Sequence, residues 1–162
     1  MEYHPLVTTI KDLLKKSGMW FETFEHEAVR TSEEAAKIRT GYTLKQGTKA
    51  MIVRVKEDDG RKYFVMIVIP GDKRFDNAKA KNILNAKDIR FATVEEVAQL
   101  TNGVEPGGVP PFGNLTGLKV FADKSVFENE KIIFNAGDRR FSIAMKSEDY
   151  RKLVDPIVVD II

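Results

Sequence analysis

Apolar residues recur along the chain with two spacings, one typical of helices and one typical of strands. The helical spacing first appears at Ile10, Leu13 and Leu14, and it predicts a helix over residues 8–18 that a threonine caps and Gly18 ends. Two Thr-x-x-Glu spacings, each typical of a capping box, predict the starts of two more helices. The two helices that they start are 31–41 and 93–100, and further helices are predicted over 76–86 and 149–153. Ser147 is expected to cap the last of these.

Strand-like stretches are rich in β-branched and aromatic residues. Residues 48–56 and 62–69 flank Asp58-Asp59-Gly60, which is a strong signal for a β-hairpin. The second of these strands is apolar throughout, so we expect it to lie in the centre of a sheet with both faces buried. The other predicted strands are 19–26, 89–92, 118–122, and a second hairpin of 131–135 and 140–145 around Gly137-Asp138.

The order of these elements predicts the fold class. Antiparallel hairpins beside crossover units indicate an α/β protein of mixed α+β character, with a central mixed sheet surrounded by helices. The apolar tail 157–162 is expected to pack onto this core. No repeat or linker interrupts the 162 residues, so we expect a single domain over 1–162.

Composition and charge exclude several classes of function. Hydrophobic residues make up 43% and charged residues 31% of the chain, and no apolar run approaches the ~20 residues of a membrane helix, so no membrane partner is expected. The first thirty residues lack the pattern of a secretory signal. The net charge of +2 gives no reason to expect binding along a duplex. Without cysteine, disulfides, thiolate nucleophiles and zinc–thiolate sites are excluded, and a cytosolic protein is expected.

Residues 103–113 hold four of the eleven glycines and three of the six prolines. Glycine lets a backbone approach a ligand closely, and proline restricts the chain around it. The segment therefore suits a shaped loop whose free amides cradle a carbonyl or a phosphate. A plain surface turn is the alternative, since glycine and proline are common in most loops.

Lys49 and His26 are the candidate groups for chemistry. Lys49 begins a strand whose next residues look buried, so its ammonium could hold a phosphate, polarise a carbonyl or act with a lowered pKa. The alternative is a strand-end lysine whose side chain extends into solvent. The only histidines are His4 and His26, neither at a spacing that suits zinc, so we expect no metal and no other cofactor. His26 is expected to line a pocket or to serve the structure rather than to act as a general base.

A polar turn lies between the last two predicted strands. Asn135 and Ser142 would face the same side if this hairpin pairs closely, although ordinary hairpin chemistry accounts for the same residues equally well. Arg139-Arg140, together with Lys73-Arg74, would give either a small basic rim or a simple solvated surface.

An ordered set of motifs runs through the chain. The motifs are His26, Thr31, Gly47-Thr48-Lys49-Ala50-Met51-Ile52-Val53, Thr101-Asn102-Gly103, Gly107-Gly108-Val109-Pro110-Pro111-Phe112-Gly113, Asn135-Ala136-Gly137 and Ser142-Ile143. Their order and gaps resemble the YbaK/ProX family, which comprises free-standing aminoacyl-tRNA deacylases and the editing domain inserted in bacterial prolyl-tRNA synthetases. The resemblance covers essentially the whole chain.

The resemblance implies hydrolysis of the ester that joins a wrong amino acid to a tRNA 3′ end, because a synthetase pocket rejects similar small side chains only weakly. It implies a partly barrel-like sheet and a mischarged tRNA as partner, with prolyl-tRNA synthetase as a further partner. Cys-tRNA or Ala-tRNA for proline is the expected substrate. The chain has no room for a synthetase catalytic domain, so action in trans is expected.

The resemblance also implies roles for individual residues. Lys49 is the expected catalytic or positioning residue, and amides near Gly107 and Gly108 would stabilise the developing oxyanion. The attacking water would be activated in part by the ribose hydroxyl of the substrate. The positions expected to line the substrate pocket are Phe24, His26, Thr31, Pro111, Phe112, Gly113, Asn135 and Ser142.

Two departures from the family pattern bear on the substrate. Some deacylases carry serine where Asn135 stands and aspartate where Ser142 stands. Without that carboxylate, the resemblance does not determine which amino acid is removed from the tRNA. Two other functions fit the same residues. One is a non-catalytic module that holds a tRNA 3′ end or assists a synthetase, and the other is a small-molecule hydrolase or ligand-binding protein on the same scaffold.

Overall fold

The computed structural model describes residues 2–29 and 31–162, which form helices and strands in the predicted order. The α-helices there are α1 Pro5–Lys16, α2 Ser32–Ile38, α3 Asn77–Leu84, α4 Val94–Thr101 and α5 Ser147–Val154. The strands are β1 Phe21–Glu25, β2 Thr48–Lys56, β3 Lys62–Pro70, β4 Asp88–Phe91, β5 Lys119–Asp123, β6 Lys131–Asp138, β7 Phe141–Lys146 and β8 Ile157–Val159. Short 3-10 turns occupy Pro106–Gly108, Gly113–Thr116 and Lys124–Glu128.

The described strands form two sheets rather than one central sheet. β1, β7 and β6 make an antiparallel sheet in that order, and β4, β2, β3, β5 and β8 make a mixed sheet in which β3 pairs in parallel with β5. The mixed α/β class is confirmed, but the sheet is not closed as a barrel. A single parallel bridge between Gly47 and Ile133 connects the two sheets.

Strand β3 has the central position that its apolar sequence predicts. It lies between β2 and β5, and residues 65–69 are buried. Met66 and Val68 pack into one hydrophobic cluster with α1, while Ile67 and Ile69 pack into a second cluster with α3. Both faces of the mixed sheet are therefore covered, which holds its backbone rigidly in place.

Two predicted helix caps are wrong. Helix α1 begins at Pro5 because Nδ1 of His4, rather than a threonine, accepts a hydrogen bond from the Leu6 amide over 3.1 Å. Proline suits this first turn, since its missing N–H would have no partner there. In α5, Ser147 is the first helical residue, and its hydroxyl donates to the carbonyl of Asn129 instead of capping the helix.

The hairpin of β6 and β7 turns two residues later than predicted. Strand β6 continues to Asp138, and its pairing with β7 shifts register after Asn135, which marks a β-bulge. Gly137 lies in this bulge with φ +106°, and a Cβ there would come 2.7 Å from Cβ of Leu6. The bulge ends the regular pairing at Asn135 and Ser142, directly beside the site described below.

The apolar tail packs as predicted. Strand β8 pairs in parallel with β5, and Ile161 is fully buried. The amide of Ile161 donates to the buried carboxylate of Asp123 over 2.7 Å, so the end of the tail is bonded to the last residue of β5.

Candidate active site

A cavity of about 200 Å³ opens where the two sheets meet, and we call it the central cavity. Its wall is built by the start of β2, helix α2, the 3-10 turn at Pro106–Gly108 and strand β6. The residues on the wall are Val29, Thr31, Ser32, Ala35, Arg39, Gly47, Thr48, Lys49, Ala50, Met51, Pro106, Gly107, Val109 and Asn135. The fold thus brings together four residues predicted from the sequence, namely Thr31, Lys49, Gly107 and Asn135.

Lys49 is the second residue of β2 and is half-buried in the cavity wall. Its backbone is fixed by pairing with Ile69 of β3. Burial lowers the pKa of the Lys49 amine from its ordinary 10.5, while Glu33 opposes this shift and Arg74 adds to it. Lys49 has no hydrogen bond or ion pair within residues 2–29 and 31–162, so its ammonium is available to a ligand in the cavity.

Gly107 lines the same cavity and belongs to the 3-10 turn that begins at Pro106. Its carbonyl accepts a hydrogen bond from Nδ2 of Asn135 over 2.7 Å, which fixes the orientation of the turn. The Gly107 amide donates to no group in the described part of the chain. A Cβ at this position would lie 3.0 Å from Cδ of Arg139, so a larger residue would have to displace that side chain.

Gly108 lies beside Gly107 but does not line the central cavity. Its amide donates to the carbonyl of Glu105 over 2.8 Å within the turn. An added Cβ would lie 3.3 Å from the backbone nitrogen of Arg139, and Gly108 faces a separate hollow there. In this structure the turn itself uses the Gly108 amide that the sequence predicted for the substrate.

Arg39 forms an inner part of the cavity wall, and the sequence did not single it out. Only 6% of this residue is exposed. Its Nε donates to Oγ of Ser142 over 3.0 Å, and its Nη2 donates to Oδ1 of Asn135 over 2.9 Å. Burial lowers the pKa of Arg39 to about 10, so the guanidinium still carries its charge at neutral pH. The one hint in the sequence is an arginine next to the apolar residues of α2, a pattern equally typical of a surface helix.

The remaining nitrogen of Arg39, Nη1, has no hydrogen-bond partner among the described residues. A Cβ added to Gly47 would lie 3.6 Å from it, and both residues line the central cavity. In the described chain, the only enclosed side-chain nitrogen or oxygen without a partner is Nε of Arg54, so Nη1 of Arg39 reaches open space. Arg39 itself lines the central cavity, so we infer that Nη1 is the donor it can offer to a ligand there.

His26 and Ser142 lie behind Arg39 rather than on the cavity wall. Nδ1 of His26 is 2.8 Å from the carbonyl of Glu27, an acceptor, which assigns the ring proton to Nδ1. Nε2 then accepts the hydroxyl proton of Ser142 over 2.8 Å. Burial lowers the pKa of His26 below its ordinary 6.5. Ser142 thus contacts Arg39 directly and His26 contacts Ser142, while neither residue is part of the cavity wall.

Phe112 and Gly113, both predicted to line the pocket, belong to the hydrophobic core. Phe112 is 1% exposed and its ring centroid lies 5.6 Å from that of Tyr150. A Cβ on Gly113 would come 2.6 Å from Cγ2 of Val120 and 2.9 Å from the carbonyl oxygen of Leu118. Glycine is required there because two other elements approach it, and not because a ligand does.

Pro111 and Phe24 also lie off the cavity wall. The carbonyl of Pro111 accepts the hydroxyl of Tyr150 over 2.6 Å in a buried contact. The ring of Phe24 packs edge-on against Tyr42, with centroids 5.8 Å apart. Thr31, by contrast, lines the cavity and caps α2 by accepting from the amide of Glu34 over 3.1 Å.

Lys49 and Arg39 are the charged side chains on the cavity wall, and both are cations. Such a wall suits a substrate that develops negative charge as it reacts. Within residues 2–29 and 31–162, no three His, Asp or Glu side chains are grouped so that they could hold a metal ion. The helices of this part of the chain are all too short or too polar to cross a membrane.

Comparison with known proteins gives one consistent result. Residues 26–153 match the family model described as the aminoacyl-tRNA editing domain. The multifunctional Ser/Thr-tRNA deacylase ProXp-y of Escherichia coli (strain K12) is 34% identical over 149 residues, which cover 91% of this chain and 87% of that protein. The proline–tRNA ligase of Bacillus licheniformis is 39% identical over 99 residues, which cover 61% of this chain and 16% of the ligase.

A solved structure agrees with these sequence relatives. A proposed trans-editing enzyme for prolyl tRNA synthetase superposes with a TM-score of 0.80 at 25% identity, covering 99% of this chain and 98% of that one. The resemblance to the YbaK/ProX family is thereby confirmed. The chain belongs to the family of aminoacyl-tRNA editing domains, and it is an aminoacyl-tRNA deacylase of the YbaK type.

Proposed function

We propose that this deacylase acts in trans on a tRNA that carries a small, hydroxyl-bearing amino acid, serine or threonine, at its 3′ end. The size of the central cavity supports a small substrate. Its volume of about 200 Å³ is below the roughly 300–1,000 Å³ of sites that hold drug-sized ligands. Ala35, Ala50 and Val109 keep the wall apolar around the space left for the side chain.

Lys49 and Gly107 supply the electrostatic part of the proposed mechanism. The ester carbonyl lies between the Lys49 ammonium and the Gly107 amide, both of which are free of partners in the described chain. When water attacks the carbonyl carbon, negative charge develops on the carbonyl oxygen, and both donors stabilise it. Since neither donor must first break another hydrogen bond, little reorganisation is needed at the transition state.

The proposed reaction needs no nucleophile from the protein. Water adds its oxygen to the carbonyl carbon, and the bond between that carbon and the ribose oxygen then breaks. The proton lost by the water passes to the leaving ribose oxygen, with the neighbouring ribose hydroxyl as the carrier. The products are a free amino acid and an uncharged tRNA.

Arg39 supports the choice of a hydroxyl-bearing side chain. Its Nη1 is a charged donor that faces the cavity without a partner among the described residues. A serine or threonine hydroxyl can accept this bond, whereas an alanine side chain leaves the donor unpaired and a cysteine thiol accepts only weakly. A site built to bond a hydroxyl discriminates strongly against an analogue that lacks it. The Ser/Thr-tRNA deacylase that is 34% identical to this chain is in keeping with this choice.

The observation that carries the proposal is that Lys49, Gly107 and Arg39 line one small cavity, each with a donor left for a ligand. The test is a panel of Ser-, Thr-, Ala- and Cys-tRNA, with the rate of ester hydrolysis measured for the wild type and for Lys49→Ala. Lys49→Ala is expected to lose about 10²–10³-fold in rate. The matched control is Lys45→Ala, which removes an exposed lysine outside the cavity wall whose amine lies 3.9 Å from Glu128.

Each outcome of the panel separates the alternatives. If the wild type leaves every ester intact, the chain is a binding module for the tRNA 3′ end and the proposal is wrong. The sequence first predicted proline tRNA mischarged with cysteine or alanine as the substrate. If either is hydrolysed faster than Ser-tRNA, the role given to Arg39 is wrong, while the deacylase activity stands. Equal loss in both lysine variants would show that general charge, and not the Lys49 position, matters.

A further inference from the structure

A second, more open groove begins at Lys49 and runs away from the central cavity. We call it the aromatic groove, and its volume is about 570 Å³. Lys49 and Met51 line both the groove and the central cavity. At the far end lie the rings of Phe75 and Phe91. Arg74 also lines the groove and belongs to the loop that connects β3 with α3.

Phe91 is unusually exposed for an aromatic residue on a strand. It ends the edge strand β4, and 60% of it is open to solvent. Its ring makes a T-shaped contact with the ring of Phe75, with centroids 5.7 Å apart, and this contact restricts the orientation of the ring. An exposed aromatic ring that lines a groove is suited to stack on a flat ligand.

Arg74 and Lys49 are the two cations of this groove that lack a hydrogen bond or ion pair among the described residues. Of the two, Arg74 is the exposed one. Arg90, which lines the same groove, is instead bound by Glu96 through two contacts of 2.8 and 3.1 Å. Arg74 and Lys49 line the same groove, and Arg74 adds to the lowering of the Lys49 pKa that burial mainly causes.

The sheet register places the aromatic end at a defined distance from the reactive end. Phe91 pairs with Val53, which lies four residues beyond Lys49 on the same face of β2. Four residues of a strand correspond to about 13 Å. The stacking face and the Lys49 ammonium are thus the two ends of one continuous groove in the mixed sheet.

We propose that the aromatic groove binds the 3′-terminal nucleotide of the tRNA, with its base stacked on Phe91 and its phosphate beside Arg74. This inference rests on the proposed function, because the ester in the central cavity is attached to the ribose of that nucleotide. Single-stranded RNA ends are bound by stacking on aromatic side chains and by contacts of arginine with the backbone. With a net charge of only +2, the chain depends on such local contacts rather than on a general attraction to phosphate.

Adenosine 5′-monophosphate is the probe, because it carries both the base and the phosphate of a terminal nucleotide. Its binding is measured by ligand-observed NMR and by inhibition of deacylation. Ribose 5-phosphate, which lacks the base, and adenosine, which lacks the phosphate, are the matched ligands. For the wild type we expect the monophosphate to bind more tightly than either of them.

Substitutions at Phe91 test the stacking. Phe91→Ala is expected to weaken binding of the monophosphate and to lower kcat/KM for aminoacyl-tRNA by about 5- to 150-fold, the range that corresponds to the loss of one base–aromatic stack. Phe91→Tyr is expected to retain both, whereas Phe91→Leu, which keeps apolar bulk without a ring, is expected to lose most of them. Val94→Ala is the control, since Val94 is 62% exposed but does not line the groove.

Arg74→Ala tests the phosphate contact. The slope of log(kcat/KM) against log[salt] is expected to fall by about one, while Lys73→Ala, at the exposed neighbouring residue, leaves it unchanged. If the wild type deacylates tRNA but Phe91→Ala and Phe91→Leu match it in rate and in nucleotide binding, the inference is overturned. If the wild type binds the monophosphate through Phe91 but deacylates no tRNA, the groove stands as a nucleotide site and the proposed function fails.

Discussion

Nη2 of Arg39 donates to Oδ1 of Asn135 across 2.9 Å, while the other end of the same amide donates to the carbonyl of Gly107 across 2.7 Å. The buried guanidinium therefore sets the position of the turn that carries the free Gly107 amide. Arg39, which we propose recognises the substrate hydroxyl, therefore also supports the turn whose amide we propose stabilises the oxyanion.

Arg39→Lys is expected to reduce the preference for Ser-tRNA over Ala-tRNA. A lysine has no fork of donors, so it cannot bond Ser142, Asn135 and the substrate hydroxyl together. The loss of one hydrogen bond to a charged group corresponds to a roughly 10- to 150-fold drop in the ratio of the two kcat/KM values. The control is Arg54→Lys, at an arginine of β2 outside the cavity wall. An unchanged ratio in the Arg39 variant would show that Nη1 does not face the substrate side chain.

Lys49→Arg is expected to keep part of the activity and to change its pH dependence. Burial lowers the pKa of Lys49 from 10.5, so in the wild type the ammonium loses its proton, and the rate falls, as the pH rises through a value below 10.5. An arginine stays charged in this range. The profile of kcat/KM against pH, corrected for spontaneous ester hydrolysis, should show this alkaline fall in the wild type and lack it in the variant. The same fall in both proteins would assign it to another group.

His26→Gln is expected to flatten the dependence of stability on pH between 7 and about 5. Folding lowers the pKa of His26 below 6.5, so the unfolded chain binds more protons than the native state as the pH falls through 6.5. The free energy of unfolding of the wild type should therefore decrease in this range, which lies above the ordinary pKa values of carboxyl groups.

Urea midpoints measured at several pH values would check this. Glutamine can still bond Ser142 but does not titrate, so the variant should lose the slope and keep the fold. His4→Gln serves as the control, because it retains His26 and should retain the slope while losing the cap of α1. A slope that survives in the His26 variant would contradict the assignment.

Gly113→Ala is expected to lower the stability of the protein, whereas Gly107→Ala is expected to lower its rate of deacylation. The new methyl group at Gly113 would meet Val120 and a backbone carbonyl at under 3 Å, and such overpacking destabilises by about 1–3 kcal/mol. The methyl group at Gly107 would come close only to the flexible side chain of Arg139, with the Val29 carbonyl at an ordinary 3.8 Å, so stability should change little while the rate of deacylation falls. Thermal midpoints and kcat/KM, measured for both variants, separate the packing glycine from the site glycine.

The sequence predicted most of the helices and strands because their signals are local. Alternation, the Thr93–Glu96 capping box and the Asp58-Asp59-Gly60 turn each act within a few residues, and each is present in the structure. The division into two sheets was not predictable, because it is set by which strands pair, and the bridge between the sheets joins residues as distant as Gly47 and Ile133. Residues so far apart in sequence leave no local pattern.

The candidate site was predictable only in part. Lys49, Gly107, Thr31 and Asn135 stand together on the cavity wall, as the motifs indicated. A glycine that packs against side chains looks the same in sequence as one that faces a ligand, so the 103–113 segment did not distinguish Gly107 from Gly113. Arg39 was not predicted because most arginines in a sequence are exposed. Nothing near it in the sequence shows that the distant, neutral residues Ser142 and Asn135 bond it in a buried place.

The parallel bridge between Gly47 and Ile133 fixes the register of strand β2 relative to strand β6. Lys49 and Asn135 each lie two residues beyond it, one in each sheet. A slip of one residue on either strand would turn its side chain to the opposite face. The relative position of Lys49 and Asn135 thus depends on two segments of two residues each. An insertion of one residue in either segment would move the Lys49 ammonium away from Asn135, and so from the Gly107 turn that Asn135 holds, although every side chain of the site is kept.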